Sequence, residues 1–111
     1  MIVKTLTHKK NNMKEKKFYI FRTNRAGVWF GNKKSLDRQV AVVTNARRLW
    51  YWEGAASLSQ LAIEGVKYHN KCKFTMTIID DEGVYLSDVI EILPCTQKAV
   101  NSINSVPIWK I

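Results

Sequence analysis

Apolar positions along this chain fall mainly into short alternating runs, and two stretches carry helical spacing instead. Phe18–Thr23 (FYIFRT) is aromatic and β-branched and reads as a strand. Asn24–Gly27 (NRAG) follows as a hairpin turn, because Gly27 is free to take a positive φ. Val28–Lys33 is the expected return strand, residues 34–37 (KSLD) the next turn, and Arg38–Thr44 a third strand. Asn45 and Ala46 make a tight bend into a fourth, RRLWYW. Strands this short, joined by loops this short, predict an antiparallel meander.

Helical spacing begins after Gly54. Ser57 with Gln60 three residues on fits a capping box, Leu58, Leu61 and Ala62 make an apolar face, and Gly65 is placed to end the helix. Cys72–Ile78 (CKFTMTI) is the cleanest alternation, with Phe74, Met76 and Ile78 on one face. A turn at DDEG leads into an extended Val84–Leu93, broken or bulged at Ser87-Asp88 and stopped by Pro94. Thr96 caps a second short helix with Ala99, Val100 and Ile103 inward, and Trp109 tucks onto the body. The predicted architecture is α+β: a curved antiparallel sheet of five or six strands, with a partly closed barrel as its limiting form, covered by two short helices.

Charge changes this picture mainly at the N-terminus. The net charge is +9, and residues 1–17 hold six lysines against one acid. That segment lacks apolar periodicity beyond Leu6 and reads as a flexible basic tail ahead of one domain over residues 18–111. Met13, followed by KEKKFYIF, is expected to serve as a second start. A basic balance favours polyanionic partners, nucleic acid or nucleotide. No segment has the length of a membrane span. Two cysteines are too few for a disulfide framework and fit a reduced, intracellular setting.

The densest stretch is NARRLWYWEGAASLSQLA, residues 45–62. On a strand, Arg48, Trp50 and Trp52 share one face, and Arg47, Leu49 and Tyr51 the other. A guanidinium beside two indoles, ahead of a helix start, can stack a base and hold a phosphate. The same tryptophans can also serve as core under the helix, and the arginines as partners of Glu53, Asp37 or a carbonyl. The candidate contact residues are Arg47, Arg48, Trp50 and Trp52, with Arg22, Arg25 and Lys33 as supporting charge. His69, Cys72 and Cys95 do not form the two close pairs of a zinc site, so no metal or cofactor is expected. With one histidine in the folded part and three acids confined to one turn, an enzyme is not expected either.

AGVWFG, NARRLWYWEGAASLSQLAIEGV, IEILPCT and INSVPIWK together resemble a family of small proteins encoded by tailed bacteriophages and prophages. The resemblance covers residues 18–110 and carries no assigned activity. It implies a phage or prophage product in the bacterial host cytoplasm or in a virion. The expectation is therefore a non-enzymatic accessory protein that binds a phosphate-bearing partner, with countering of host defence as one role. The alternative is a self-associating structural or protein-masking module, a homo-oligomer or binder of a host protein, whose interface the tryptophans fill.

Overall fold

A computed structural model describes residues 17–111. The basic tail, except Lys17, and the start at Met13 lie outside the described residues. The strands are β1 (Tyr19–Thr23), β2 (Val28–Asp37), β3 (Val40–Tyr51), β4 (Lys73–Phe74), β5 (Val84–Leu86) and β6 (Val89–Pro94), and the helices α1 (Leu58–Glu64) and α2 (Gln97–Asn104). A 3-10 turn at His69–Lys71 lies between α1 and β4. One antiparallel sheet runs β4-β3-β2-β1-β6, with β5 also paired to β3.

The curvature follows from one short link. Only Ser87 and Asp88 separate β5 from β6, yet β5 pairs with β3 and β6 with β1. The sheet must curl until those two sides approach, and single bonds stitch them there: Val89 N donates to Gln39 O, and Asn24 N to Asp88 O. It is not closed, because no ladder joins β5 to β6. Alternation then serves two cores. Phe21, Trp29, Ala41, Val43, Ala46, Leu86 and Val89 fill the inside of the curl. Ile20, Phe30, Leu49 and Phe74 face outward and meet Leu61, Val100 and Ile103 of the helices.

The helices form where capping chemistry places them. Ser57 Oγ accepts from Gln60 N, and Gly65, at φ 79°, returns its N–H to Leu61 O. Thr96 Oγ1 accepts from Ala99 N, and Ala99, Val100 and Ile103 are the buried face of α2.

Three expectations need correction. Residues 34–37 are not a turn: β2 continues to Asp37, and the hairpin reverses at Arg38 and Gln39, where Arg38 takes φ 58°. Asn45-Ala46 is not a break between strands either. Asn45, at φ 50°, is the site of a register shift inside one twelve-residue strand, and its side chain bonds Asn32. The expected Cys72–Ile78 strand is not continuous: only Lys73 and Phe74 form a ladder, and Ile78 makes one isolated bridge to Ala46. Phe74 is fully buried, whereas Met76 and Ile78 are exposed, because no layer covers that end of β3.

Candidate functional site

The paired arginines separate to opposite sides of β3. Arg47 lies opposite Phe30 and points under the helices, and Arg48 lies opposite Trp29 at the mouth of the curl. Arg47 is 4% exposed. Its guanidinium donates at 2.7 Å to the carbonyls of Thr75, Ile103 and Val106, and reaches Pro107 O at 3.3 Å. Ile103 belongs to the last turn of α2, whose carbonyls have no partner within the helix, so Arg47 caps α2 with a cation. Burial lowers its pKa. Arg47 is thus committed to the fold and has no free edge for a ligand.

Arg48 is the opposite case. Its guanidinium carbon sits 4.6 Å from the Trp29 ring centre and 6.0 Å from that of Trp50. It pairs with no carboxylate among the described residues, and its Nε is buried without a hydrogen-bond partner. Leaving such a donor unmatched costs about 1–3 kcal/mol. Arg48 lines a recess of about 290 Å³ together with Gly27, Val28, Leu49, Trp50 and Trp52. Trp52 reaches it from the other side than expected. The register slips between Leu49 and Tyr51, the strand ends at Tyr51, and Trp52 packs half-buried against the helix-side core. The expected shared face of Arg48, Trp50 and Trp52 is therefore a shared recess rather than one strand face.

The aromatic surface continues beyond the recess. Trp50 and Trp109 are near parallel, 14° apart with centroids 6.5 Å apart, and they are 59% and 46% exposed. Trp109 is held there by its own N–H to Phe74 O and by the Phe74–Ile108 bridge. Lys73 Nζ lies 5.5 Å from the Trp109 ring and 6.0 Å from Tyr51. Tyr51 donates to Glu53 Oε2 at 2.8 Å, and that bond is the main reason its phenol pKa is raised. Gly54 abuts Lys67 and Tyr68, and both Lys67 and Lys71 lie over the Tyr68 ring. Lys73 serves one group of rings, Trp109 and Tyr51, and Lys67 and Lys71 flank another, Tyr68. Exposed cation–π pairs of this kind are worth about 0.5–1 kcal/mol each.

The other expected cations lie elsewhere. Arg22 bonds Glu91 at 2.9 Å, Arg25 bonds Asp88 at 3.1 Å, and Lys33 lies over Tyr19. None of them lines the recess. His69 Nε2 is 3.0 Å from Ser102 Oγ, which also bonds both the N–H and the carbonyl of Val66, tying the end of α1 to α2. Cys72 Sγ bonds carbonyls of Glu53 and Tyr68, and burial pushes the Cys95 thiol up to about 12. Among the described residues no group of three or more His, Cys, Asp or Glu is placed to hold a metal ion. No helix among them is long and apolar enough to cross a membrane.

Lys67, Tyr68, Lys71, Lys73 and Trp109 escape a reading by local spacing. They come from separate segments, and only Trp109, an indole after Pro107, carries a sequence signal of docking. What fold and site define is a small α+β domain with a cation-interleaved aromatic surface and an arginine-lined recess. The chain belongs to the family described as Domain of unknown function (DUF6948), which it matches over residues 16–103. No curated protein and no solved structure matches it.

Proposed function

We propose that this protein is a non-enzymatic binder of single-stranded nucleic acid, with Arg48, Trp50, Tyr51, Lys73 and Trp109 as its contact surface. One observation carries the reading: the half-exposed, near-parallel Trp50 and Trp109, with Arg48 on one side and Lys73 on the other. Bases stack on exposed rings whatever their sequence, while interleaved cations meet the phosphates between them. A surface built only to bury itself against another protein would be depleted in lysine at its centre. Here Lys73 sits between Trp109 and Tyr51.

Binding of labelled octathymidylate, followed by anisotropy and by tryptophan quenching, tests this. Three exposed cations, Lys67, Lys71 and Lys73, flank the rings. At about 0.7 per phosphate on a single strand, the log–log salt slope should approach −2. Trp50→Ala should weaken binding by about 1–3 kcal/mol, the worth of one stacked base. No binding at low salt, together with a concentration-dependent dimer that Trp50→Ala dissolves, would establish the self-association alternative instead.

A further inference from the structure

We infer that the recess at Arg48 is a single-base pocket that selects guanine from the bound strand. The inference rests on the single-strand reading above and adds to it a base preference, which a stacking surface alone does not supply.

Three observations carry it. The first is size. At about 290 Å³ the recess is at the small end of ligand sites. It has room for one planar heterocycle and not for a run of nucleotides. Gly27 lies at its rim, at φ 81°, and a Cβ there would meet nothing within 4 Å, so the mouth is open on the side of the β1–β2 turn.

The second is the lining. Val28, Leu49, Trp50 and Trp52 are apolar or aromatic, and Arg48 is the one charged side chain. A phosphate placed there would lose its water on most sides and regain one cation, an unfavourable exchange. A base loses little by leaving water for indole and aliphatic walls. The exposed lysines along the Trp109–Tyr68 stretch are the better place for phosphates.

The third is the pattern of donors. Arg48 offers only N–H groups. No acidic or amide side chain lines the recess to accept a bond in return. The Arg48 guanidinium is also uncompensated, with Nε buried and unpartnered. The favoured base therefore presents two adjacent acceptors on the edge that meets Arg48, with its own donors on another edge. Guanine does so with O6 and N7, the edge to which arginine bonds in bidentate fashion, whereas adenine pairs one acceptor with a donor on that edge. Trp29 and Trp50 flank the guanidinium and limit the directions in which it can point.

The test compares octathymidylate with the same strand carrying one central guanine, adenine, cytosine or 7-deazaguanine. Guanine should tighten binding about tenfold, the scale of one good bidentate contact. The 7-deaza base, which lacks the N7 acceptor, should return to the octathymidylate value. This arm alters only the ligand, so it decides the matter even if a protein variant fails to fold. Arg48→Lys should bring the ratio of guanine-strand to octathymidylate affinity to about one, whatever it does to octathymidylate binding itself, because an ammonium has no planar fork. Equal affinity for all five strands overturns the pocket and leaves the stacking surface standing. Equal gains from guanine and 7-deazaguanine also overturn it. Failure to bind any strand overturns the surface and the pocket together.

Discussion

Replacing Arg47 should cost the protein a large part of its stability before it reveals anything about ligands. Arg47→Met keeps the aliphatic stem under the helices and removes the guanidinium. Three bonds of 2.7 Å disappear, to Thr75, Ile103 and Val106, in a position 4% exposed. A bond from a charged donor is worth about 1.5–3 kcal/mol, but three such values cannot simply be added. The buried cation carried its own desolvation cost, and that cost vanishes with it. Its partners are neutral carbonyls, and each buried acceptor left unsatisfied costs about 1–3 kcal/mol, so for the three together we adopt about 3–5 kcal/mol. For a domain of this size each kcal/mol moves Tm by about 4–8 °C, so the expected loss is roughly 15 °C or more. Arg47→Lys should recover less than half, because one ammonium cannot reach carbonyls on three separate segments. Arg22→Met, which breaks only an exposed pair with Glu91, is the control and should cost under about 1 kcal/mol. Thermal melts followed by circular dichroism read all three. If Arg47→Met melts within about 3 °C of wild type, the claim that this arginine holds α2 and the C-terminal segment is wrong.

Trp52→Ala should cost about 2–4 kcal/mol, because Trp52 packs on the helix-side core, whereas Trp50→Ala, at an exposed position, should cost under about 1 kcal/mol; urea titrations that rank them in reverse would refute the assignment. Gly65→Ala should destabilise by more than about 1 kcal/mol, since its Cβ would collide with Ser102 at a φ of 79°, and an unchanged urea midpoint would count against it. Cys95 is protonated in the fold up to about pH 12 against an ordinary value of 9.0, so the folded state holds its proton where the unfolded chain has released it. The stability it contributes is therefore complete below about pH 9 and is lost as pH rises toward 12. Wild type should weaken across that window more than Cys95→Ala, and parallel pH profiles would contradict this.

Much of the fold was legible because the local signals agreed with one another. Ser57, Gly65 and Thr96 are capping residues that behave as such, and the inward residues of α2 follow from spacing alone. The misjudged places share a cause. Lys34–Asp37 is polar and turn-like in sequence, but in an exposed hairpin arm polar residues are what a strand carries. Asn45 reads as a bend because asparagine tolerates positive φ, and it does adopt φ 50°. Local chemistry cannot say whether that conformation ends a strand or shifts its register; here pairing with β2 continues on both sides and decides for the shift. Met76 and Ile78 alternate in sequence as core residues would, yet both are exposed and β4 stops at Phe74, because the covering layer depends on the rest of the chain.

The same distinction explains how far the site could be read. Adjacent residues on a strand face opposite ways, so Arg47 and Arg48 could not serve one site, and that much follows from covalent geometry. Which of them turns inward depends on what the helices leave beneath them: three backbone carbonyls at the end of α2 and beside it, which only a long multidentate cation can satisfy together. Arg47 also bonds Val106 and Pro107, three and two residues before Trp109. The buried arginine thereby helps place the indole that stacks on Trp50, beside the half-buried Arg48. The two arginines act on one surface from opposite sides of β3, one by fixing the position of a stacking ring and the other by standing beside it with an uncompensated charge. A variant of Arg47 that still folds should consequently lose stacking affinity without losing base preference, whereas a variant of Arg48 should lose base preference.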